Sequence, residues 1–203
     1  DSRIASVIIG DSIDVTFNQM LGNYAPIDFF QLNKTNPVDS LLQKLNDYDK
    51  IILSIHNTTI NAQKNYGITE DMNRIINELK NRTKLIVDVF GNPYTLSKLK
   101  GVEDVDALIM SYEGTENSQN ISAQIIFGGA SARGVLPVSV SENFKIDDGI
   151  ILSDSIRLKY TFPEEVGITS SDLAPIDSIV AKGLREKAFP GCQVLVAKQG
   201  KVI

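Results

Sequence analysis

The first 140 or so residues of this 203-residue chain predict an α/β fold. The expected form is a three-layer α/β/α sandwich around a mostly parallel, doubly wound sheet of about five or six strands, followed by a partial C-terminal segment. Three observations carry it. Short apolar runs recur along the chain, amphipathic helical stripes fall between them, and the connections are short.

The apolar runs at 4–9, 28–32, 51–55, 85–89 and 107–110 read as strands buried on both faces. After the second, Asn36 is placed to cap a helix with Pro37 at its first position, and Val38, Leu41, Leu42 and Leu45 then form one stripe. Thr69 is placed to cap the next helix, whose Met72, Ile75, Ile76 and Leu79 repeat that spacing. Pro93 introduces a short helix across 94–100, and a helix over 118–127 stops at Gly128-Gly129. A sixth strand is expected at 134–140, at an edge because Pro137 lacks the N–H that a central strand needs. Beyond Val140 an irregular connector leads to a helix over 171–187, with Leu173, Ile176, Val180 and Leu184 on one face. The turn Pro190-Gly191 then enters a strand at 193–197, and Lys201-Val202-Ile203 begins its hairpin partner. One helix and one and a half strands cannot bury their apolar faces alone. Together with the opening Asp1-Ser2-Arg3, this leads us to expect a segment of something larger, with domains at 1–158 and 159–203.

Composition excludes several functions. A net charge of -5, with Lys and Arg scattered, is the wrong electrostatics for nucleic acid. No apolar run is long enough to span a membrane. Cys192 is the only cysteine and His56 the only histidine, so neither a disulfide framework nor a metal site is expected. The acidic pairs Glu103-Asp104, Asp147-Asp148 and Glu164-Glu165 read as solvated loop charges.

A parallel sheet binds ligands beyond the C-terminal ends of its strands. The candidates there are His56, Asn57 and Thr58 after the third strand, Asn92 after the fourth, and Tyr112 and Glu113 after the fifth. Each residue type also suits a polar loop or a cap, so both readings stand. Gly10 is alone after the first strand, which excludes a dinucleotide fingerprint, and no Gly-Lys-Ser/Thr sequence forms a P-loop. A phosphoacceptor receiver needs Asp and Lys where this chain has His56 and Ser111. The run 129–134 has Arg133 in place of the second glycine of a nucleophile elbow, and it follows a helix rather than leading into one. No catalytic residue, metal or cofactor emerges.

Two stretches carry a resemblance. Val87-Asp88-Val89-Phe90-Gly91-Asn92-Pro93-Tyr94 ends a strand in a Gly-x-Pro turn. About twenty residues later Tyr112-Glu113-Gly114 precedes Ala123-Gln124-Ile125-Ile126-Phe127-Gly128 and then Gly134-Val135-Leu136-Pro137-Val138. In this order they resemble the C-terminal sandwich domain of glycoside hydrolase family 3. The resemblance implies a retaining glycosidase whose aspartate nucleophile lies on a (β/α)8 barrel that these 203 residues do not contain. In glucosidase-like members the loop after the third strand supplies a general-acid Glu. Residues 56–67 here (HNTTINAQKNYG) contain neither Asp nor Glu, which fits the β-N-acetylhexosaminidase-like branch, where a His–Asp pair on the barrel moves the proton. The implied substrate is a β-N-acetylglucosaminide, such as a cell-wall glycan, in a periplasmic or other extracytoplasmic compartment. Glu113 is the fallback acid.

Residues 166–203, with Pro190-Gly191-Cys192-Gln193-Val194 and Lys198-Gln199-Gly200-Lys201, resemble the opening of a serine β-lactamase-like domain. The Ser-x-x-Lys nucleophile motif of such domains does not occur here. The expectation is therefore a non-catalytic or cleft-completing domain, inactive by itself. The alternatives are a stand-alone flavodoxin-like module for a small ligand and a purely structural spacer.

Overall fold

The computed structural model describes residues 2–13, 15–33 and 35–203. Among these residues the strands β1 (Ile4–Ile9), β2 (Asp28–Gln31), β3 (Lys50–Ile55), β4 (Lys84–Val89) and β5 (Ala107–Met110) form one all-parallel sheet in the order β2-β1-β3-β4-β5. The five expected strands are present within a residue at each end, because continuous β-branched and leucine runs buried on both sides leave little choice of register.

Four helices pack on the two faces of this sheet. The chain moves outward from β1 to β2 through α1 (Thr16–Gly22) on one side. It returns through α2 (Val38–Lys44) and α3 (Glu70–Leu79) on the other, and α4 (Glu116–Phe127) comes back beside α1. Strand residues alternate between the two layers. Val7, Leu53, Ile55, Val87 and Val89 pack with Leu41, Ile75, Ile76 and Leu79 beneath α2 and α3. Ile52 and Phe90 pack with Phe17, Leu21 and Ala123 beneath α1 and α4.

Caps explain most of the helix ends. The Thr69 hydroxyl accepts from Met72 N at 3.4 Å, and α4 stops at Gly128 in the left-handed conformation (φ 75°). The cap of α2 differs from expectation. Pro37 is extended (φ -69°, ψ 168°) and takes the cap position, which puts Asn36 one residue too far out. The Asn36 side chain accepts from Lys44 Nζ at 2.7 Å and donates to Gln31 O at 3.1 Å instead. The helix after Pro93 is a 3-10 turn, Pro93–Lys98. Helix α1 has no side-chain cap, which is why its start gives no signal in the sequence.

The expected sixth strand at 134–140 is not formed. Leu136 exchanges backbone hydrogen bonds with Asp147 and Asp148 (2.9 and 2.8 Å), and Val140 N reaches Phe144 O. Pro137 supplies no donor, so the segment lies over the apolar layer through buried Leu136 without joining the ladder.

The C-terminal part holds α5 (Ser170–Arg185) and a small sheet, β6 (Lys159–Tyr160), β7 (Ala197–Lys198) and β8 (Lys201–Val202), in the order β6-β8-β7. The expected strand at 193–197 is reduced to β7, because β8 offers ladder partners only to Ala197 and Lys198. Gln199 and Gly200 (φ 54° and 75°) make the tight hairpin turn. On α5 a capping box joins Thr169 and Asp172, and its apolar stripe is only half-buried, with Leu184 exposed. Gln124, fully buried on α4, bonds both backbone groups of Tyr160 (2.9 and 3.0 Å) and so ties β6 to the sandwich.

All three acidic pairs read as solvated have an engaged member. Asp104 meets Lys80 at 2.7 Å. Glu165 lies between Lys159 (2.9 Å) and Lys201 (3.0 Å), which hold its carboxyl down at about 2. Glu164 accepts from Ser170 N, and Asp148 accepts from Lys145 N.

Candidate functional site

The strand order reverses between β1 and β3, and such a switch point opens a crevice at the C-terminal edge of the sheet. Residues 10–13 and 56–58 flank it. The Asn57 amide spans it, donating to Asp11 Oδ1 at 2.9 Å. Gly10 lies against His56 there, where a Cβ would come within 3.3 Å of the His56 Cβ.

The loops after β3 and β4 form one ledge. The Thr58 hydroxyl donates to Phe90 O at 2.7 Å, and a Cβ on Gly91 would collide with that hydroxyl, so only glycine fits. Asn92 caps the following 3-10 turn through Tyr94 N at 2.9 Å. Residues 59–68 are held by Thr59 N to Tyr66 O (2.9 Å), Tyr66 N to Asn61 O (3.0 Å) and Ile68 N to Asn65 O (3.0 Å). Asn65 and Tyr66 are both left-handed (φ 50° and 55°). The rings of Tyr66 and Tyr94 face each other across the ledge, 6.4 Å apart and inclined by 22°.

His56 is not a surface ligand. Its ring stacks on Phe90 (4.5 Å, 20°) and meets Phe17 edge-on, and Nε2 is buried with no hydrogen-bond partner. Burial holds its pKa down at about 4, so it is neutral at pH 7. Tyr112 is left-handed (φ 58°), and Glu113 N turns back onto Ser111 O at 2.6 Å. The Glu113 side chain is exposed at the rim.

The six sequence candidates therefore share one edge of the sheet. Asn57, Thr58 and Asn92 bond within the loops, His56 packs inward, and Tyr112 and Glu113 face outward. The sequence reading did not single out Asp88, Tyr66 or Tyr94. Asp88 is fully buried beneath α4, where it accepts from Ser111 Oγ (2.7 Å) and from Ser122 Oγ, and burial pushes its pKa up to about 6. A carboxylate inside an apolar strand run was a visible signal. The pairing of two tyrosines twenty-eight residues apart was not.

A cavity of about 760 Å³ lies at the other end of the sheet, lined by Asp49, Lys80, Arg82, Lys84 and Asp106 among others. Its charges are matched internally, as in Lys84–Asp106 (2.6 Å) and Lys80–Asp104 (2.7 Å). It lies at the N-terminal strand ends, away from the switch point, so we place the candidate site on the ledge. Among the described residues no group of three or more His, Cys, Asp and Glu converges as a metal site, and no helix is long and apolar enough to cross a membrane.

Fold and site together define a three-layer parallel α/β sandwich with a carboxylate-free, tyrosine-bearing ledge at its switch-point edge. No protein family, curated protein or solved structure matches the chain.

Proposed function

We propose that this chain is the cleft-completing sandwich domain of a retaining glycoside hydrolase of the family 3 type, acting on β-N-acetylglucosaminides. The nucleophile-bearing (β/α)8 barrel lies outside these 203 residues. The ledge is the observation that carries this reading. Apart from the exposed Lys64, its groups are amides, hydroxyls and tyrosine rings, the chemistry that recognises neutral polyols. The loop over 56–67 has a fixed shape and carries no carboxylate, so it has nothing with which to protonate a leaving group. The half-buried stripe of α5 and the small β6-β8-β7 sheet fit the start of a further, β-lactamase-like domain.

The chain alone is expected to leave aryl N-acetylglucosaminides and aryl glucosides intact, and turnover well above buffer sinks the proposal. Sequencing the flanking coding region is the second test. A barrel encoded upstream is expected, and its absence overturns the reading.

The strand order favours one competitor, since β2-β1-β3-β4-β5 is also that of flavodoxin-like modules. Against it, the loop after β1 places the Asp11 carboxylate where a flavin phosphate would sit, and α1 is only seven residues long. Titration with FMN separates the two, and submicromolar binding would favour the competitor.

A further inference from the structure

Several features of the molecule are already accounted for by the fold. The charged cavity at the N-terminal edge is internally paired. The connector residues Ile150, Ile151, Ile156 and Phe162 are exposed, with nothing in the structure to define what covers them. The two tyrosines on the ledge are different.

Tyr94 is 41 % exposed and Tyr66 is half-buried, and neither phenol hydroxyl has a hydrogen-bond partner among the described residues. The other close ring pairs serve the core or the β2 edge: Phe17, His56 and Phe90 fill the layer beneath α1, Tyr24 stacks on Phe127, and Phe30 meets Tyr48. The Tyr66–Tyr94 pair lies instead at the rim that a parallel sheet uses for ligands.

Holding the pair there requires unusual backbone. A bulky aromatic residue rarely adopts left-handed φ, and here Tyr66 follows Asn65 in the same conformation. Three backbone bonds and the Asn61 side chain, which accepts from Gln63 N at 2.9 Å, impose it. Thr58 packed against Gly91 then fixes this loop to the one that carries Tyr94. Asn92 uses its side-chain oxygen on Tyr94 N, which leaves its amide NH2 as a donor in the loop that carries Tyr94.

We propose that Tyr66 and Tyr94 form a stacking subsite for a β-linked pyranoside, in the class of N-acetylglucosamine oligosaccharides. A pyranose with equatorial substituents presents C–H bonds on its ring face and hydroxyls around its perimeter. The phenol rings take the face; the two phenol hydroxyls and the Asn92 amide take the perimeter. This subsite deepens the glycan reading above and rests on it.

The test is a titration of the full 203-residue chain with triacetylchitotriose, followed by 1H–15N NMR, with FMN in a parallel arm. Saturable shifts are expected at 57–67 and 91–97 with a Kd in the roughly millimolar range. Tyr94→Ala should weaken binding about tenfold, and Tyr94→Phe should stay within about threefold of wild type. Tyr94→Leu keeps the bulk without the π face and should lose binding as Tyr94→Ala does, which separates stacking from misfolding. No saturable shift with the sugar overturns the subsite. So does unchanged affinity in both Tyr94→Ala and Tyr94→Leu, or displacement of the sugar from these tyrosines by FMN. If the chain hydrolyses no aryl glycoside and a barrel is encoded upstream, such a failure removes the subsite and leaves the domain assignment standing.

Discussion

The two faces of the central sheet are built from the same strands and do different work. Beneath α2 and α3 the three central strands contribute only apolar residues, from Ala5, Val7 and Ile9 through Ile51, Leu53 and Ile55 to Leu85, Val87 and Val89. Beneath α1 and α4 the same strands contribute Ser6, Ser54 and Asp88, joined there by Asn18, Ser122 and Gln124, all nearly or fully buried. The apolar face provides non-directional burial that tolerates only changes of equal volume. The polar face provides directed bonds. Ser6 Oγ donates to Asn18, and Asn18 donates to Ile13 O in the loop after β1 (2.8 and 2.9 Å). Asp88 holds Ser111, the residue from which the Tyr112-Glu113 turn departs. One face is therefore purely apolar burial in its central strands, whereas the other combines the core of Phe17, Leu21, Ile52, Phe90 and Ala123 with the bonds that position the rim loops.

Adjacent residues of β3 give the most severe test of that division. Leu53 and Ser54 are both fully buried and point to opposite faces. Leu53→Ala should cost about 2–5 kcal/mol in urea unfolding through the cavity it leaves. Ser54→Ala removes a buried hydroxyl that has no partner, so it should be neutral or stabilising by up to about 1 kcal/mol. A loss above that for Ser54→Ala would mean that its hydroxyl is engaged, and the polar face would then contribute stability as well.

The polar face also carries two opposed titrations. Asp88 is raised from 3.8 to about 6, so the folded state holds its proton more tightly than the unfolded chain. That contribution is fully present below pH 3.8 and is lost as pH rises through 6. His56 is lowered from 6.5 to about 4, so its contribution is fully present above pH 6.5 and is lost as pH falls through 4. Each shift amounts to a pH-dependent change on the order of 3 kcal/mol, and between pH 4 and 6.5 the two run in opposite directions. Wild type should therefore show a nearly flat stability profile over that window. Asp88→Asn should become more stable as pH rises from 4 to 6.5, and His56→Gln should become less stable from 4 to 6. Denaturant melts at half-unit pH intervals measure this, and parallel slopes in the two variants would refute the assignment.

A further test concerns the ledge. Gly91→Ala should destabilise by about 1–3 kcal/mol because its methyl meets the Thr58 hydroxyl. The double variant Gly91→Ala with Thr58→Ala should recover most of that loss. If it does not, the cost at Gly91 comes from something other than Thr58, and the two loops are not locked by this contact.

The sequence alone determined the strands, the stripes of α2 and α3, the start at Thr69 and the stop at Gly128, and the gathering of six candidate residues at one edge. These follow from local rules. Period and capping act over a few residues, and five parallel strands place their C-terminal ends together whatever the loops do. Features set by partners distant in sequence were decided only by the tertiary structure. The 134–140 segment bonded to 144–148 rather than to the sheet. Glu165 found Lys201 thirty-six residues away. The inward turn of His56 depended on Phe17 and Phe90, and the ledge on Tyr66 meeting Tyr94. Whether a polar residue at the mouth of a sheet faces a ligand or the core depends on which neighbours fill the space beside it, and packing alone settles that.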